Sequence, residues 1–331
     1  MNHPIFLQAF SGTNTRVPVW FMRQAGRCLP SYQKIRSRHS LDEMFHTPEI
    51  AAEITCQPVD ILGVDAAVLY ADILTLPSAM GCNIHFDEQK GPVIDPLKNI
   101  SSLRDFDNLN YVAETIRLVQ KRLNGKVPLI GFAGSPWTVA AYLIEGGSSL
   151  SFAKTFRFMN ECPEEFATLL DVLTHNTIRY LNLQKSAGID AYQIFDSWGG
   201  LLPKSDFNRL VLPCLKTIFQ SVDLPSIYFL RHGRHLLESS FTCGADGLSL
   251  CHTIDLQNDI IGRTNLLIQG NLFNGALYKK DDDLRRDVRR ILEIMKPHRK
   301  FIFNLGHGVF PDTDPDKLKL IVDEVHGFAQ R

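Results

Sequence analysis

Residues able to do chemistry occur along this chain in short clusters, each directly after an apolar run. Arg23 and Arg27 lie within the apolar stretch 17–29, where an unpaired guanidinium is costly, so we expect both to bind an anion. Asp72 also lies in an apolar segment, so its carboxylate is expected to be either hydrogen-bonded structurally or used chemically. The clusters are Met22–Arg27, Asp72, Gly131–Thr138, Asp196–Gly200 and Asn304–Gly308.

Several residues in these clusters have two interpretations. Gly199, Gly200 and Gly308 are either turn residues that need a positive φ or positions where something approaches the backbone closely. His307 is either a packed or surface histidine or a functional one, and the glycines on both sides of it favour function. The sequence leaves these alternatives open.

Two common kinds of site are not indicated. The segment GFAGSP at 131–136 has neither the P-loop spacing nor a G-x-G-x-x-G pattern, so nucleotide chemistry is not expected. Cys251 and His252 lie near Cys243, but adjacent ligands without a second spaced pair are a weak zinc signal. We therefore predict no bound metal.

The bulk composition limits the partners and the compartment. The formal net charge is −1, so no global field attracts nucleic acid or an anionic membrane surface. The first ten residues do not resemble a secretory signal, and no apolar run approaches the ~18 residues that span a bilayer. The seven cysteines are scattered and odd in number, so we expect them to be reduced and mostly buried. These features predict a cytoplasmic protein.

Eight apolar runs alternate with helical patterns. Several of the runs are continuous, as in strands buried on both faces of a parallel sheet. The clearest helix is predicted from Pro163 to a stop at Gly188. No linker or repeat divides the chain, so we predict one (β/α)8 barrel domain over residues 1–331, with an open doubly wound sheet as the alternative. The eight predicted strands are 18–22, 65–70, 127–132, 191–195, 226–230, 246–250, 266–269 and 300–305.

A barrel would bring the clusters together. Each cluster follows a strand, and the carboxyl ends of barrel strands form the face on which barrel enzymes place their active sites. Clusters distant in sequence are therefore expected to line one cleft.

Taken together, these segments resemble the uroporphyrinogen decarboxylase family. The resemblance runs in order over nearly the whole chain, and its most specific parts are the MRQAGR run, the PWT segment with EGG, and the final GHG. The matching segments are PVWFMRQAGRCLPSY at 18–32, YADILTLPSAMG at 70–81, GFAGSPWTVAAYLIEGG at 131–147, FDSWGG at 195–200, LIQGNL at 267–272 and NLGHGVFPDT at 304–313.

The resemblance implies a (β/α)8 barrel, a homodimer, and conversion of uroporphyrinogen III to coproporphyrinogen III by loss of four acetate carboxyl groups, without a cofactor. It implies catalytic roles for Asp72, Arg23 and His307. The substrate-binding residues that it implies are Arg23, Gln24, Arg27, Asp72, Phe132, Tyr142, Ser197 and His307.

The chain departs from the usual family pattern at two places. Cys28 and Ser31 stand where the family usually has Tyr and Glu. Cys251 and His252 stand where the family usually has an Asp and a Trp, within a Leu-Asp-Trp-Thr run. The second departure removes an acidic and an aromatic group from the end of a strand, and this puts the pocket shape there in doubt.

The chemistry implied by the resemblance requires a proton and a stabilised cation. As a hypothesis, an ionised Asp72 accepts hydrogen bonds from the pyrrole N–H groups and stabilises the positive charge that develops on the ring. The arginines bind substrate carboxylates through bidentate contacts. The proton donor is left open among His307, Arg23 and water.

Two other functions stay open. Related methyl-transferring barrels bind zinc through a His-x-Cys pair at the fifth strand end, but this chain reads Phe229-Leu230-Arg231 there. The second is a catalytically inactive relative that carries a tetrapyrrole. Zinc content separates the first from a decarboxylase, and release of CO2 separates the second.

Overall fold

Seven of the eight predicted strands are hydrogen-bonded parallel strands in the computed structural model, which describes residues 4–87, 91–95, 97, 100 and 103–329. The central strands are buried along almost their whole length, which explains why their sequences are continuously apolar. In chain order the strands are β1 (Ala67–Val68), β2 (Ile84–Asp87), β3 (Gly91–Ile94), β4 (Leu129–Gly134), β5 (Ala191–Asp196), β6 (Ser226–Leu230), β7 (Gly247–Leu250), β8 (Leu267–Gln269) and β9 (Phe301–Ile302).

The main sheet is a curled parallel sheet of seven strands in the order β1-β4-β5-β6-β7-β8-β9. The register pairs Ile130 with Ala191 between β4 and β5, and Tyr192 with Ser226 between β5 and β6. Because every pair is parallel, the loops that follow these strands all leave at the same edge of the sheet.

The predicted strand at 18–22 is not a regular strand. Val19 forms a single parallel bridge with Phe303, and its carbonyl accepts a hydrogen bond from the Asp65 N–H at 2.8 Å. Pro18 has no N–H to donate, and the N–H groups of Phe21 and Met22 bond the side chains of Gln24 and Asn304. The backbone donors of this run therefore leave the strand ladder after one bridge.

A polar network fills part of the space on the inner side of the sheet. The Gln269 side chain accepts from Trp20 Nε1 at 2.8 Å and donates to Gln193 Oε1 at 3.0 Å and to Ser249 Oγ at 2.9 Å. All four side chains are buried. The network joins the run at 18–22 to β5, β7 and β8.

Helices follow most strands and pack on one another, with α4 on α6, α6 on α9, α9 on α11 and α13 on α14. They are α1 (Ile5–Ser11), α2 (Pro30–Arg36), α3 (Leu41–His46), α4 (Pro48–Leu62), α5 (Thr75–Ala79), α6 (Asn110–Leu123), α7 (Pro136–Glu145), α8 (Ala153–Glu161), α9 (Pro163–Ala187), α10 (Lys204–Asp206), α11 (Leu212–Ser221), α12 (Leu237–Ser240), α13 (Asp281–Met295) and α14 (Pro315–His326). Short 3₁₀ segments span Gly199–Leu201, Arg234–Leu236 and Asn274–Tyr278, and π-helical segments span Phe207–Val211 and Leu256–Ile260.

The predicted helix from Pro163 to Gly188 is confirmed as α9. Proline lies in its first turn with Glu164 and Glu165, where acidic side chains complement the helix dipole, and Gly188 caps its C-terminus. Its buried face includes Phe166, Leu169, Leu170, Leu173, Tyr180 and Leu181.

The antiparallel hairpin of β2 and β3 was not predicted. It pairs Ile84 with Ile94, and its tip lies outside the described residues. Pro92 within β3 argues against a strand in the sequence, because proline cannot donate to a ladder. Val93 bridges Gly147, which attaches the hairpin to the end of α7.

All seven cysteines are free, as predicted, and five of them are buried. Within the described ranges, no helix has both the length and the apolar character needed to cross a membrane.

Candidate active site

The predicted site residues lie at the carboxyl edge of the curled sheet. Edge-to-face or tilted ring contacts connect this edge from strand to strand. The ring centroids are 5.5 Å apart for Phe132 and Phe195, 5.9 Å for Phe195 and Phe229, and 6.3 Å for Phe229 and His307. The ends of β4, β5 and β6 therefore present an aromatic wall that reaches the loop after β9.

The loop that carries Arg23 is held by buried amides. Asn304 Oδ1 accepts from the Met22 N–H at 3.1 Å, and the Val309 N–H donates to the Met22 carbonyl at 2.9 Å. Arg23 has a φ of +64°, a left-handed conformation that is rare for a non-glycine residue. Such strain persists only where the surroundings enforce it, and here the fixed loop projects an exposed guanidinium.

Gln24 supports this loop and does not face the cleft. It is 1% exposed, its Oε1 accepts from the Phe21 N–H, and its Nε2 donates to the Ala66 carbonyl at 2.9 Å. Both polar ends of the side chain are therefore engaged with the backbone. This placement differs from the substrate-binding role that the resemblance implies for Gln24.

Close approach, not positive φ, explains the glycines whose two interpretations were open. A Cβ atom on Gly308 would collide with the side chain of Arg23, and one on Gly200 would collide with the backbone of Arg231 and His232. A Cβ atom on Gly199 would collide with the carboxylate of Asp196. None of these three glycines has a positive φ. Glycine at 308 thus lets the stem of Arg23 cross the GHG loop.

Asp72 begins the short turn into α5. The Leu74 N–H donates to Asp72 Oδ1 at 2.8 Å, and the Asp72 N–H donates to Thr75 Oγ1 at 3.3 Å. Within the described part of the chain, Oδ2 accepts no hydrogen bond. Burial raises the pKa of Asp72, against the opposing effects of the Leu74 N–H and the Arg23 charge. The carboxylate is therefore fixed at one oxygen, while the other stays open to a ligand.

His307 lies among cations. Burial lowers its pKa to about 4, and the charges of Arg23 and Arg231 and the imidazoles of His232 and His252 act in the same direction. At pH 7 the ligand-free imidazole is neutral. It can donate or accept one hydrogen bond, but it holds no ready proton for transfer.

Tyr142 lies in α7, and Ser197 directly follows β5. The Tyr142 ring meets Trp198 edge-on with centroids 6.1 Å apart, and the Arg231 guanidinium lies 5.4 Å from the centroid of Trp198. Within the described residues, neither the Tyr142 nor the Ser197 hydroxyl forms a hydrogen bond. Trp198 Nε1 is buried and has no hydrogen-bond partner in the described part of the chain. The two hydroxyls are available to a ligand in the cleft.

Asp196 positions the loop that carries Ser197. Its carboxylate accepts from Thr138 Oγ1 at 2.6 Å, from Tyr228 Oη at 2.8 Å and from the Gly199 N–H at 2.8 Å. The side chain is fully buried, and burial raises its pKa against these hydrogen bonds. Asp196 was grouped with the site residues by position alone, and its contacts give it a structural task.

The remaining arginine, Arg27, is exposed on the same loop as Arg23. Its carbonyl accepts from Gln33 Nε2 at 2.8 Å, which fixes the backbone while the guanidinium stays unpaired within the described ranges. An exposed, unpaired guanidinium beside an exposed Arg23 fits an anion-binding role.

The two departures from the family pattern have different outcomes. Cys28 is buried, and burial raises its pKa to about 11, so this thiol is an inert packing group. Cys251 is also buried, with its Sγ 2.9 Å from Thr253 Oγ1, whereas His252 is exposed at the cleft. The replacement of the usual acidic and aromatic residues by Cys251 and His252 therefore places an imidazole at this strand end.

Sequence reasoning missed the cationic group Arg231, His232 and His252. The His232 and His252 rings lie 6.3 Å apart, and both surround His307 together with Arg231. The signal was the RHGRH run directly after β6, a position of the same kind as the other clusters. Among the described residues no group of three or more His, Cys, Asp or Glu side chains has a metal-binding arrangement.

Sequence comparison identifies the family. The model of the uroporphyrinogen decarboxylase (URO-D) family matches residues 2–328. The uroporphyrinogen decarboxylase of Syntrophotalea carbinolica is 42% identical over 328 residues, covering 96% of this chain and 95% of the relative. That of Thermodesulfovibrio yellowstonii is 44% identical over 331 residues, covering 98% and 97%. The chain belongs to the uroporphyrinogen decarboxylase family.

Solved structures with the same fold include more distant proteins. A methyltransferase from Methanosarcina mazei superposes with a TM-score of 0.84 at 20% identity, covering 98% of this chain and 99% of its own. A B12-independent methionine synthase from Shewanella sp. W3-18-1 gives a TM-score of 0.60 at 10% identity, covering 87% and 89%. These similarities concern the fold alone.

Proposed function

We propose that this chain decarboxylates the four acetate side chains of uroporphyrinogen III to give coproporphyrinogen III, without a cofactor. The observation that carries the proposal is Asp72, a half-buried carboxylate that has one oxygen free of hydrogen bonds from the described residues and lies near Arg23 at the carboxyl edge of the sheet. Membership of the family supplies the substrate class. Asp72 supplies the reason why a cationic intermediate is tolerated in this cleft.

The reaction needs a proton and a place for electrons. Protonation of the ring carbon next to the one that bears the acetate gives a cationic pyrrole. The bond between the methylene and the carboxylate then breaks, CO2 leaves, and its electron pair neutralises the ring. Addition of a proton to the exocyclic methylene and loss of the ring proton give a methyl group, so each acetate consumes one proton overall. An anion fixed beneath the ring stabilises the cation.

Asp72 is assigned this position under the macrocycle. In the empty cleft, burial raises its pKa and disfavours the charge. Pyrrole N–H groups donating to the carboxylate favour its ionised form, as hydrogen bonds to a charged form always do. Substrate binding and ionisation of Asp72 therefore support each other.

The remaining residues bind side-chain carboxylates and the ring. Arg23 and Arg27 take carboxylates through their guanidinium groups, and the Tyr142 and Ser197 hydroxyls and the His307 imidazole hydrogen-bond others. Phe132 contributes to the aromatic wall. We assign the proton donor to His307 once bound carboxylates have raised its pKa, since anions act on an imidazole opposite to Arg23 and Arg231.

We also propose that the fold is one complete eight-stranded barrel domain. The run at 18–22 would be the eighth strand, supported by the Val19 bridge to Phe303, by the hydrogen bond from Asp65, and by Trp20 in the inner polar network. We also propose that the protein is a homodimer and that it is located in the cytoplasm. Its subunit number is measured by sedimentation equilibrium.

Anaerobic incubation of the purified, metal-free protein with uroporphyrinogen tests the function. Chromatography of the oxidised products counts the carboxyl groups that remain. We expect a series from seven to four carboxyl groups. Unchanged substrate that stays bound would instead support a tetrapyrrole carrier, and zinc retained after purification would support a methyl-transferring enzyme.

A further inference from the structure

Two loops at the carboxyl edge place an arginine and two histidines side by side. After β6, the Arg231 N–H donates to the Asp196 carbonyl at 3.0 Å, and His232 has a left-handed φ of +54°. After β7, Asn271 Nδ2 donates to the carbonyls of Cys251 and Ile254 and so fixes His252 between them. Both loops are held by their backbones, and their side chains are free to meet a ligand.

The three side chains face the same cleft as the proposed site. The His252 ring lies 4.8 Å from the Phe273 ring and 6.3 Å from the His232 ring, measured between centroids. A Cβ atom on Gly306 would collide with His252, so His252 lies directly against the loop of His307. Arg231 lies over Trp198, which contacts Tyr142.

The Arg231 charge in this group has no compensating anion among the described residues. Arg231 forms no ion pair within the described residues, and the groups that influence His232 and His252 are Arg231 and the imidazoles themselves. Burial and Arg231 lower the pKa of both histidines, so both are neutral at pH 7 in the empty cleft. The Arg231 guanidinium and two exposed imidazoles therefore present hydrogen-bond donors with no protein anion among the described residues, and a carboxylate suits such donors.

We propose that Arg231, His232 and His252 form a second carboxylate-binding subsite, which takes an acetate or propionate carboxylate of the tetrapyrrole on the β6–β7 side of the cleft. This inference rests on the proposed function. A substrate with eight carboxylates needs more cationic partners than Arg23 and Arg27, and this chain places a histidine where the family usually has the Trp of its Leu-Asp-Trp-Thr run.

The subsite predicts a binding effect that depends on pH. A carboxylate held by an imidazole favours the protonated imidazole, so the two histidines contribute most at acidic pH, while Arg231 is charged throughout. We therefore compare KM and kcat for uroporphyrinogen at pH 6 and pH 8 in three variants. These are the double variant His232→Gln with His252→Gln, the single variant Arg231→Gln, and the control His175→Gln, whose histidine is exposed on α9.

The expected results separate the two kinds of cation. The double histidine variant should raise KM about tenfold at pH 6 and less than about twofold at pH 8. Arg231→Gln should raise KM about tenfold at both pH values, and His175→Gln should change neither constant. Because Arg231, His232 and His252 also lower the pKa of His307, their removal changes its titration and with it kcat, so the subsite is judged from the KM ratios between variant and wild type.

Two outcomes overturn the inference, and they can be told apart. Wild-type turnover with unchanged KM ratios in the double variant and in Arg231→Gln would remove the subsite and leave the proposed function intact. Absence of turnover in the wild type would remove both. Thermal melting of each variant checks that the exposed substitutions leave the fold in place.

Discussion

Two aspartates at opposite ends of β1 have contrasting surroundings. Asp65 precedes the strand and accepts from Arg16 at 2.8 and 2.6 Å, from His326 at 2.9 Å and from the Val19 N–H at 2.9 Å. Burial alone would raise the pKa of Asp65, but the hydrogen bonds from Arg16 and His326 outweigh it and lower the pKa. This carboxylate is saturated with partners.

Asp72 follows the same strand and has the opposite surroundings. It accepts one hydrogen bond, from the Leu74 N–H, and burial raises its pKa. A carboxylate whose oxygens are engaged by several protein donors has little acceptor capacity left for a ligand, whereas Asp72 has one oxygen that a ligand can use. At the amino end of the strand, Asp65 connects Arg16 to His326 of α14. At the carboxyl end, Asp72 lies at the edge where barrel enzymes place their active sites.

The largest effect on stability is expected at Asp65. Asp65→Ala leaves Arg16 without its buried partner and should lower the free energy of unfolding by about 3–5 kcal/mol at pH 7. Because the folded-state pKa is depressed, this contribution is present above the unfolded-state value and is lost as pH falls toward the folded-state value. Urea denaturation at pH 7 and at pH 3 measures both.

Asp60→Ala is the matched control for that experiment. Asp60 is an exposed carboxylate that pairs with Arg122 at 3.5 Å, and its removal should cost under about 1 kcal/mol. Equal losses for Asp60→Ala and Asp65→Ala would contradict the distinction between a saturated, buried carboxylate and a surface one.

The largest effect on the reaction is expected at Asp72. Asp72→Asn keeps the shape and the acceptor for the Leu74 N–H but removes the charge that stabilises the cationic ring, so kcat should fall about 10²–10³-fold. Anaerobic turnover of uroporphyrinogen measures it, with Asp60→Asn as the control. Near wild-type turnover in Asp72→Asn would end the idea of a central carboxylate.

A third carboxylate sharpens the comparison, because Asp196 lies at the carboxyl edge but is saturated like Asp65. Tyr228→Phe removes the 2.8 Å hydrogen bond to Asp196 and should lower stability by about 1.5–3 kcal/mol. Tyr192→Phe is the control, since this equally buried tyrosine donates a longer hydrogen bond, of 3.4 Å, to the uncharged Val222 carbonyl. A similar loss in both variants would show that Asp196 does not depend on its donors.

Seven of the eight predicted strands and the α9 helix were predictable from sequence because burial on both faces and 3.6-residue spacing are local patterns. It did not predict that the run at 18–22 leaves the ladder, since the amides that capture its N–H groups come from Gln24 and from Asn304, far along the chain. The β2–β3 hairpin was not predicted because Pro92 argues against a strand.

The candidate site was predicted in part for the same reason. The clusters that follow strands identified Arg23, Asp72 and His307, whose electrostatic coupling depends on the sheet that brings them together. The burial of the Gln24 side chain and the hydrogen bonds of Asp196 were not predicted, because they depend on the direction in which each side chain points. Spacing along the chain carries no information on that direction.

The smallest effect expected is a gain in stability from Asp72→Asn. Burial opposes the charge of Asp72, so its neutral isostere should raise the free energy of unfolding at pH 7 by about 1 kcal/mol. The pKa of Asp72 is raised in the folded state, so the wild type has its full stability below the unfolded-state pKa, where the carboxyl group is neutral in both states. The wild type loses this stability as pH rises through the folded-state pKa, whereas the Asn variant does not titrate. The gain should therefore be present at pH 7 and absent near pH 3, as measured by urea denaturation. A variant that is less stable than the wild type at pH 7 would place Asp72 with Asp65, as a structural carboxylate.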